Sequence, residues 1–345
     1  DNWCTHRLFK DLPNGNYRLE VTGLGSAVPY SFRVMMQPAA EPFGIAVGDT
    51  IAEGVPAAGA GRLETSASED VYRFTVAEGG QTVVFDGSGL VINDSSLVQE
   101  STGNDLGGVF GHREYALEAG DYTVHVRSHR YMPTGTYSLH VFAQPPSEVF
   151  SYQVGQRVED GKIGGQSVIG AGRLETTASK DVYQFSLAEE QTVVFDSLPG
   201  YTIMDGSRLV SATTGHDYGY LSGHREFTLP AGDYEITVRT PGTAASYWLE
   251  SVVKPAAQVF DYQIGQRVED GKIGGQSVAG AGRLETTASK DVYNFTVAAE
   301  QTVVFDSLPG YTIMDGSRLV GLDSSTDYGV LTGHRVFRLP AGRYQ

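Results

Sequence analysis

The chain is almost without cysteine: Cys4 is the single one in 345 residues, so no disulfide can close within it. Disulfide staples, the usual device of small secreted domains, are thereby excluded, and such scarcity is ordinary for bacterial surface or secreted proteins with larger domains. No histidine-rich neighbourhood recurs beside Cys4, which argues against thiol chemistry there. Positive charge is also short. Twenty-five Lys and Arg face 41 Asp and Glu, for a formal net charge of −16. An acidic surface repels phosphate backbones and anionic headgroups, so no nucleic acid is expected as a partner. The plain use of such charge is solubility. No apolar run is long enough to cross a bilayer, and no membrane insertion is expected. Nothing resembles a signal peptide, although a chain beginning at Asp1 leaves an upstream leader open. Motifs of catalysis are missing too: there is no Gly-x-Ser-x-Gly elbow, no His-Glu-x-x-His and no Asp-x-Asp-x-Asp-Gly loop.

What is present is turn and strand chemistry. Forty-three glycines, 19 tyrosines and 15 phenylalanines accompany few patterns of helical period, which points to an all-β protein. One stretch organises the chain. Residues 170–183 (Gly-Ala-Gly-Arg-Leu-Glu-Thr-Thr-Ala-Ser-Lys-Asp-Val-Tyr) return unchanged at 280–293, and at 59–72 with Ser66 and Glu69 as the two changes. Arg62, Arg173 and Arg283 are 111 and 110 residues apart, a period that means tandem copies of one folding unit.

Residues 1–37 read as the closing part of a preceding copy, followed by repeats at 43–142, 150–253 and 260–345. His6-Arg7 and Tyr17 match His112-Arg113 and Tyr122 of the first repeat. Residues 30–34 (Tyr-Ser-Phe-Arg-Val) alternate as a half-buried strand does and match 137–141. The segments 37–42, 144–148 and 254–258 contain proline, which removes a ladder donor, and read as short, stiff linkers. Inside each repeat about eight short strands are expected. In the second they include 181–187, 191–196, 201–203, 208–210, 225–229, 233–239 and 246–253, with a tight turn at Asp205-Gly206. The expected fold class is therefore all-β: tandem jelly-roll-like antiparallel β-sandwich domains joined by short Pro-containing linkers.

At this point the pattern resembles bacterial pre-peptidase C-terminal domains. The motifs are Asp-x-Tyr-x-Phe at 70–74, Gln-Thr-Val-x-Phe-Asp at 81–86, Leu-x-Ala-Gly-Asp-Tyr-x-x at 117–124 and Gly-x-Tyr-x-Leu-x-Val at 135–141, and the likeness runs over essentially the whole chain. The resemblance implies a β-sandwich attached to secreted enzymes or strung along large surface proteins. Some members bind collagen or polysaccharide, and some bind calcium. Many carry a paired Asp-x-Asp before the Tyr, whereas here Lys180 and Lys290 precede a single Asp.

Several residues then have two readings. Asp70, Asp181 and Asp291 follow Ser-containing turns; they accept turn N–H groups or meet the recurring Arg, or they hold a metal, calcium being the possible cofactor. The Gly-His-Arg triplets at 111–113, 223–225 and 333–335 lack a nucleophile or acid at fixed spacing and read as strand-edge structure. Gly161-Lys-Ile-Gly-Gly lacks the helix opening of a phosphate loop and reads as a turn. Trp248 points outward between inward Tyr247 and Leu249, to stack a sugar ring or pack between repeats. Loop 211–216, with Thr213 and His216, differs from 321–326 at every position and carries either ligand specificity or nothing.

The chain thus starts inside one copy and stops inside another. Either it is a window on a longer array, or copies complete one another head to tail, with Tyr17, Tyr30 and Phe32 of one chain against the last repeat of the next. The expected function is a non-catalytic extracellular or cell-surface structural repeat protein of bacteria, a stalk, fibre or adhesin segment. Its partners would be other copies of itself or further repeats of the same chain. The alternative is a collagen- or glycan-binding module array accessory to a secreted hydrolase. An enzyme in its own right ranks behind both.

Overall fold

Alternation along the strands builds the fold. In Asp181–Leu187, buried Tyr183, Phe185 and Leu187 alternate with exposed Gln184 and Ser186. In Gly232–Val238, Tyr234, Ile236 and Val238 are the buried set. One face of each strand must leave water, and two sheets facing each other do this at once. The computed structural model describes residues 9, 12–22, 29–127, 134–197, 206–306 and 316–345. Cys4, the His6-Arg7 pair, the strand expected at 201–203 and Asp205 lie outside them. The architecture is all-β; the described residues contain no α-helix, only a short 3-10 turn at Leu90–Asn93.

In the second repeat the first sheet runs, in spatial order, Glu148–Ser151, Asp181–Leu187, Gly232–Val238, Arg208–Ser211 and Asp217–Tyr220. The second runs Gln166–Ser167, Lys162–Ile163, Arg157–Glu159, Leu249–Val253, Gln191–Ser197 and Arg225–Leu229. Between them lies one core containing Tyr183, Phe185 and Ile236 from the first sheet and Val193, Phe195 and Leu249 from the second. The Phe185 and Phe195 rings meet across it at 6.2 Å. Each such fully buried side chain contributes about 1.5–3 kcal/mol. The first repeat is built alike, with Phe74 and Phe85 at 6.0 Å. The chain crosses between sheets at the Pro-Ala-Gly corner, where the Tyr234 hydroxyl donates to the Pro230 carbonyl at 2.6 Å. Tyr17, Tyr122 and Tyr344 each make the same bond to the carbonyl four residues back.

One pairing departs from the antiparallel expectation. The opening strand of every repeat runs parallel to its neighbour in the first sheet, with Glu41 opposite Asp70, Glu148 opposite Asp181 and Gln258 opposite Asp291.

One further expectation is corrected. Residues 30–34 form no strand: none is present in described residues 12–22 and 29–40, and Tyr17, Tyr30 and Phe32 are exposed. Alternation alone cannot hold a strand, which needs a ladder; the matching Ser138–Ala143 pairs with Gln81–Ser88. Among the described residues of the third repeat, Gln301–Phe305 pairs only with Arg335–Leu339, and the core is divided into two clusters. Val304 is accordingly exposed where Val194 is buried.

Candidate cation site

The parallel pairing has a chemical consequence. It sets Glu148 beside Asp181, and the loop after Leu174 brings Glu175 to the same place. The three carboxylates offer oxygens that all lie within 4.8 Å of one another. Glu148 and Glu175 are exposed, whereas Asp181 is 0% exposed.

Asp181 is held by a directional chain of hydrogen bonds. The Gly172 N–H donates to the Tyr183 hydroxyl at 2.9 Å, the Tyr183 and Tyr247 hydroxyls lie 2.6 Å apart, and Tyr247 donates to Asp181 Oδ2. Each hydroxyl has one proton, so Tyr183 must donate to Tyr247. The other oxygen, Oδ1, is buried and has no hydrogen-bond partner among the described residues. Leaving such an atom bare is costly, on the order of 1–3 kcal/mol or more for a charged group. Burial pushes the Asp181 carboxyl up to about 7; the Tyr247 hydrogen bond opposes this, and Glu175 and Glu148 add to it. Burial likewise drives the Tyr247 hydroxyl far above its ordinary range.

The first repeat keeps the tyrosine pair and the buried aspartate, but among the described residues its acids form no trio as close as that of the second, and Asp70 leaves no buried oxygen without a partner. Asp70 Oδ2 accepts from Tyr137, the Tyr72 and Tyr137 hydroxyls lie 2.6 Å apart, the Gly61 N–H donates to Tyr72 at 2.9 Å, and burial, with Glu64 and Glu41 nearby, pushes Asp70 up to about 6. The third repeat keeps Asp291, Tyr293 and Glu285 but has Gln258 in place of the first glutamate, whose amide donates to Glu285 at 3.1 Å. Asp291 Oδ1 is also without a partner, and burial raises this carboxyl as well.

A glycine makes room for the acidic group. Gly170 has φ +84°, and a Cβ there would fall 1.9 Å from Glu148 Oε2. Gly59 and Gly280 stand in the same relation to Glu41 and Gln258. An orphaned buried carboxylate oxygen, two flanking carboxylates and a cradle that any Cβ would fill suit a hard cation such as Ca²⁺, which takes about 6–8 oxygen ligands. Such an ion would give Oδ1 its missing partner and cancel the mutual repulsion of the three acids.

The structure therefore overturns one reading of Asp70, Asp181 and Asp291. Arg62 pairs with Glu53, and the aspartates' hydrogen-bond donors are tyrosine hydroxyls. The partners Glu41, Glu64, Glu148 and Glu175 escape sequence reasoning because the parallel register that gathers them is not a local property. The one available signal was the invariant Glu of the repeated Gly-Arg-Leu-Glu.

The other proposed ligand residues are not brought together. Trp248 is half-buried, and the Arg157 guanidinium covers its ring at 4.6 Å, leaving one face fewer for a sugar. Thr213 and His216 sit at a hairpin tip of the first sheet, where Thr213 Oγ1 accepts the Asp233 N–H at 3.0 Å and His216 meets Tyr218 edge-on. In the third repeat Asp323 accepts the Arg343 N–H at 2.8 Å, so loop 321–326 solves the same backbone problem with another side chain. The His of each Gly-His-Arg faces an aspartate of the neighbouring strand: Asp86 for His112, Asp196 for His224 and Asp306 for His334.

No family model matches the chain, and no curated protein matches it. Among solved structures it is similar to the pre-peptidase C-terminal domain of a collagenase from Bacillus anthracis, at 18% identity and TM-score 0.24, covering 31% of this chain and 97% of that one. It is also similar to the CUB1-EGF-CUB2 domains of rat MASP-1, at 11% identity and TM-score 0.21, covering 61% of this chain and 100% of that one. The corresponding human MASP-1/3 domains align at 10% identity and TM-score 0.22, covering 59% and 98%. Likenesses this distant carry no functional argument.

Proposed function

We propose that the chain is a non-catalytic structural repeat segment of an extracellular or cell-surface bacterial protein, a stalk, fibre or adhesin segment, whose second repeat is fastened by calcium. The observation that carries this reading is the acidic trio of Glu148, Glu175 and Asp181, together with the buried Asp181 Oδ1 that lacks a partner among the described residues. The remaining repeated polar groups serve the framework: the Tyr pairs tie the strand beside the opening one to the last segment of the repeat, and the His–Asp pairs join neighbouring segments. When bound, the ion would neutralise like charge and link the opening strand to the sheet; Glu148, Glu175 and Asp181 would hold it in the second repeat. Linking the opening strand secures the point where the proline-containing connector enters that repeat. The test is calorimetric melting of the whole chain with calcium and with chelator. A higher melting temperature in calcium is expected, because an ion that binds only the folded state stabilises it by mass action. Equal melting in both, together with no heat of calcium binding, would remove the ion from this reading.

A further inference from the structure

The two junctions between repeats are built on the same contact. At the first, Asp86 Oδ1 meets His112 Nδ1 at 2.6 Å, while Oδ2 accepts the hydroxyl of Thr177 from the next repeat at 2.5 Å. At the second, Asp196 Oδ1 meets His224 Nδ1 at 2.7 Å, and Oδ2 accepts the hydroxyl of Thr287. One aspartate thus binds the histidine of its own repeat and the threonine of the following one. The first junction adds Arg239, which grips the Glu114 carboxylate at 2.7 and 2.8 Å, and Gly242, where a Cβ would come 3.1 Å from that of His112.

The incoming turn has one shape in all three repeats. The N–H of Thr65, Thr176 and Thr286 donates to Ser68, Ser179 and Ser289 Oγ at 3.0, 2.9 and 3.0 Å. The residue displayed next is Ser66, Thr177 or Thr287, a hydroxyl donor each time. The accepting aspartate is covered wherever a turn is seated on it: the side chains of Asp86 and Asp196 are 24% and 17% exposed. That of Asp306 is 65% exposed, with His334 3.4 Å away and no hydroxyl on it among the described residues.

We propose that the Asp306–His334 pair is a docking point for another repeat of this type, and that in a solution of this chain its occupant is the first repeat of a second copy, entering through turn 65–68. The argument is continuity: the same acceptor pair and the same turn already meet twice within the chain. The proposal rests on the structural-repeat reading but not on the cation. Within the chain the short connectors hold the mates at an effective concentration on the order of 1 mM, so association between chains is to be read at about that protein concentration.

The experiment is sedimentation and NMR of the whole chain up to ~1 mM, run in chelator so that its outcome is separate from the calcium test. Expected are concentration-dependent association and paired shifts of the His334 ring and the Ser66 amide. Asp306→Ala and Ser66→Ala should each weaken association about tenfold, and Ser66→Thr, which copies the two seated turns, should strengthen it. Asp306 and Ser66 lie outside the buried cores, so both variants should melt like the parent. A single sedimenting species throughout, or association that ignores both alanine variants, overturns the proposal. So does association that moves other resonances while His334 and Ser66 stay fixed.

Discussion

With calcium removed by chelator, the second repeat should lose stability as the pH rises from about 4 to about 7. Asp181 is 0% exposed, and burial, with Glu175 and Glu148 beside it, lifts its carboxyl from 3.8 to about 7. The folded-state value lies above the unfolded one. The protonated acid therefore favours folding; its contribution is complete below about pH 4 and is lost as the pH climbs through 7. A carboxyl raised that far corresponds to at most about 4 kcal/mol, less where solvent screens it. For a repeat of this size each kcal/mol moves the melting temperature by about 4–8 °C, so the expected fall is on the order of 10 °C. Calcium acts in the opposite sense, because it binds the ionised carboxylate and adds about 2.7 kcal/mol at a hundredfold excess over its dissociation constant. The gap between calcium and chelator melting curves should therefore widen with pH. Asp181→Asn is the control. It keeps an oxygen for Tyr247 but carries no charge. At pH 8 in chelator it should melt above the parent, with a flat pH profile and no calcium response in the second repeat. Differential scanning calorimetry reads all of this, provided the repeat transitions are fitted separately. A parent profile flat between pH 4 and 8 in chelator, or an Asn variant with the parent's slope, refutes the reasoning.

Other outcomes follow from single contacts. Tyr247→Phe removes the donor to Asp181 and the acceptor of Tyr183, and should cost about 2–3 kcal/mol in urea unfolding, while the matching loss from Tyr137→Phe should appear only in the first repeat. Gly170→Ala places a methyl where Glu148 Oε2 lies, on a backbone of φ +84°; it should destabilise by about 1–2 kcal/mol and lower calcium stoichiometry by one site in titration calorimetry. Phe195→Ala empties the centre of the second core and should cost about 3–5 kcal/mol, measured by the same unfolding curves.

The period of about 110 residues, the all-β class and the inward faces of strands such as Tyr183, Phe185 and Leu187 were legible in the sequence, because repetition and alternation are one-dimensional properties. The Pro-Ala-Gly-Asp-Tyr corners could also be seen, since a tyrosine reaching four residues back needs only local chain geometry. Residues 30–34 mark the limit: their alternation matches 137–141, but a strand exists only beside a partner, and pattern does not supply one.

The candidate site was half visible. Asp181 stood out by its place before Val-Tyr, yet its environment depends on three remote segments. Glu148 arrives by parallel pairing, Glu175 by the path of a loop, and Tyr247 from the strand end 66 residues further on. The junctions belong to the same class, since Asp86 and Thr177 are 91 residues apart. Local sequence determined which side of each strand is apolar and where the chain turns, because those choices cost free energy residue by residue. Only tertiary structure decided which charges meet, because a carboxylate's partner and its exposure to water are set by the packing of segments that no local pattern connects.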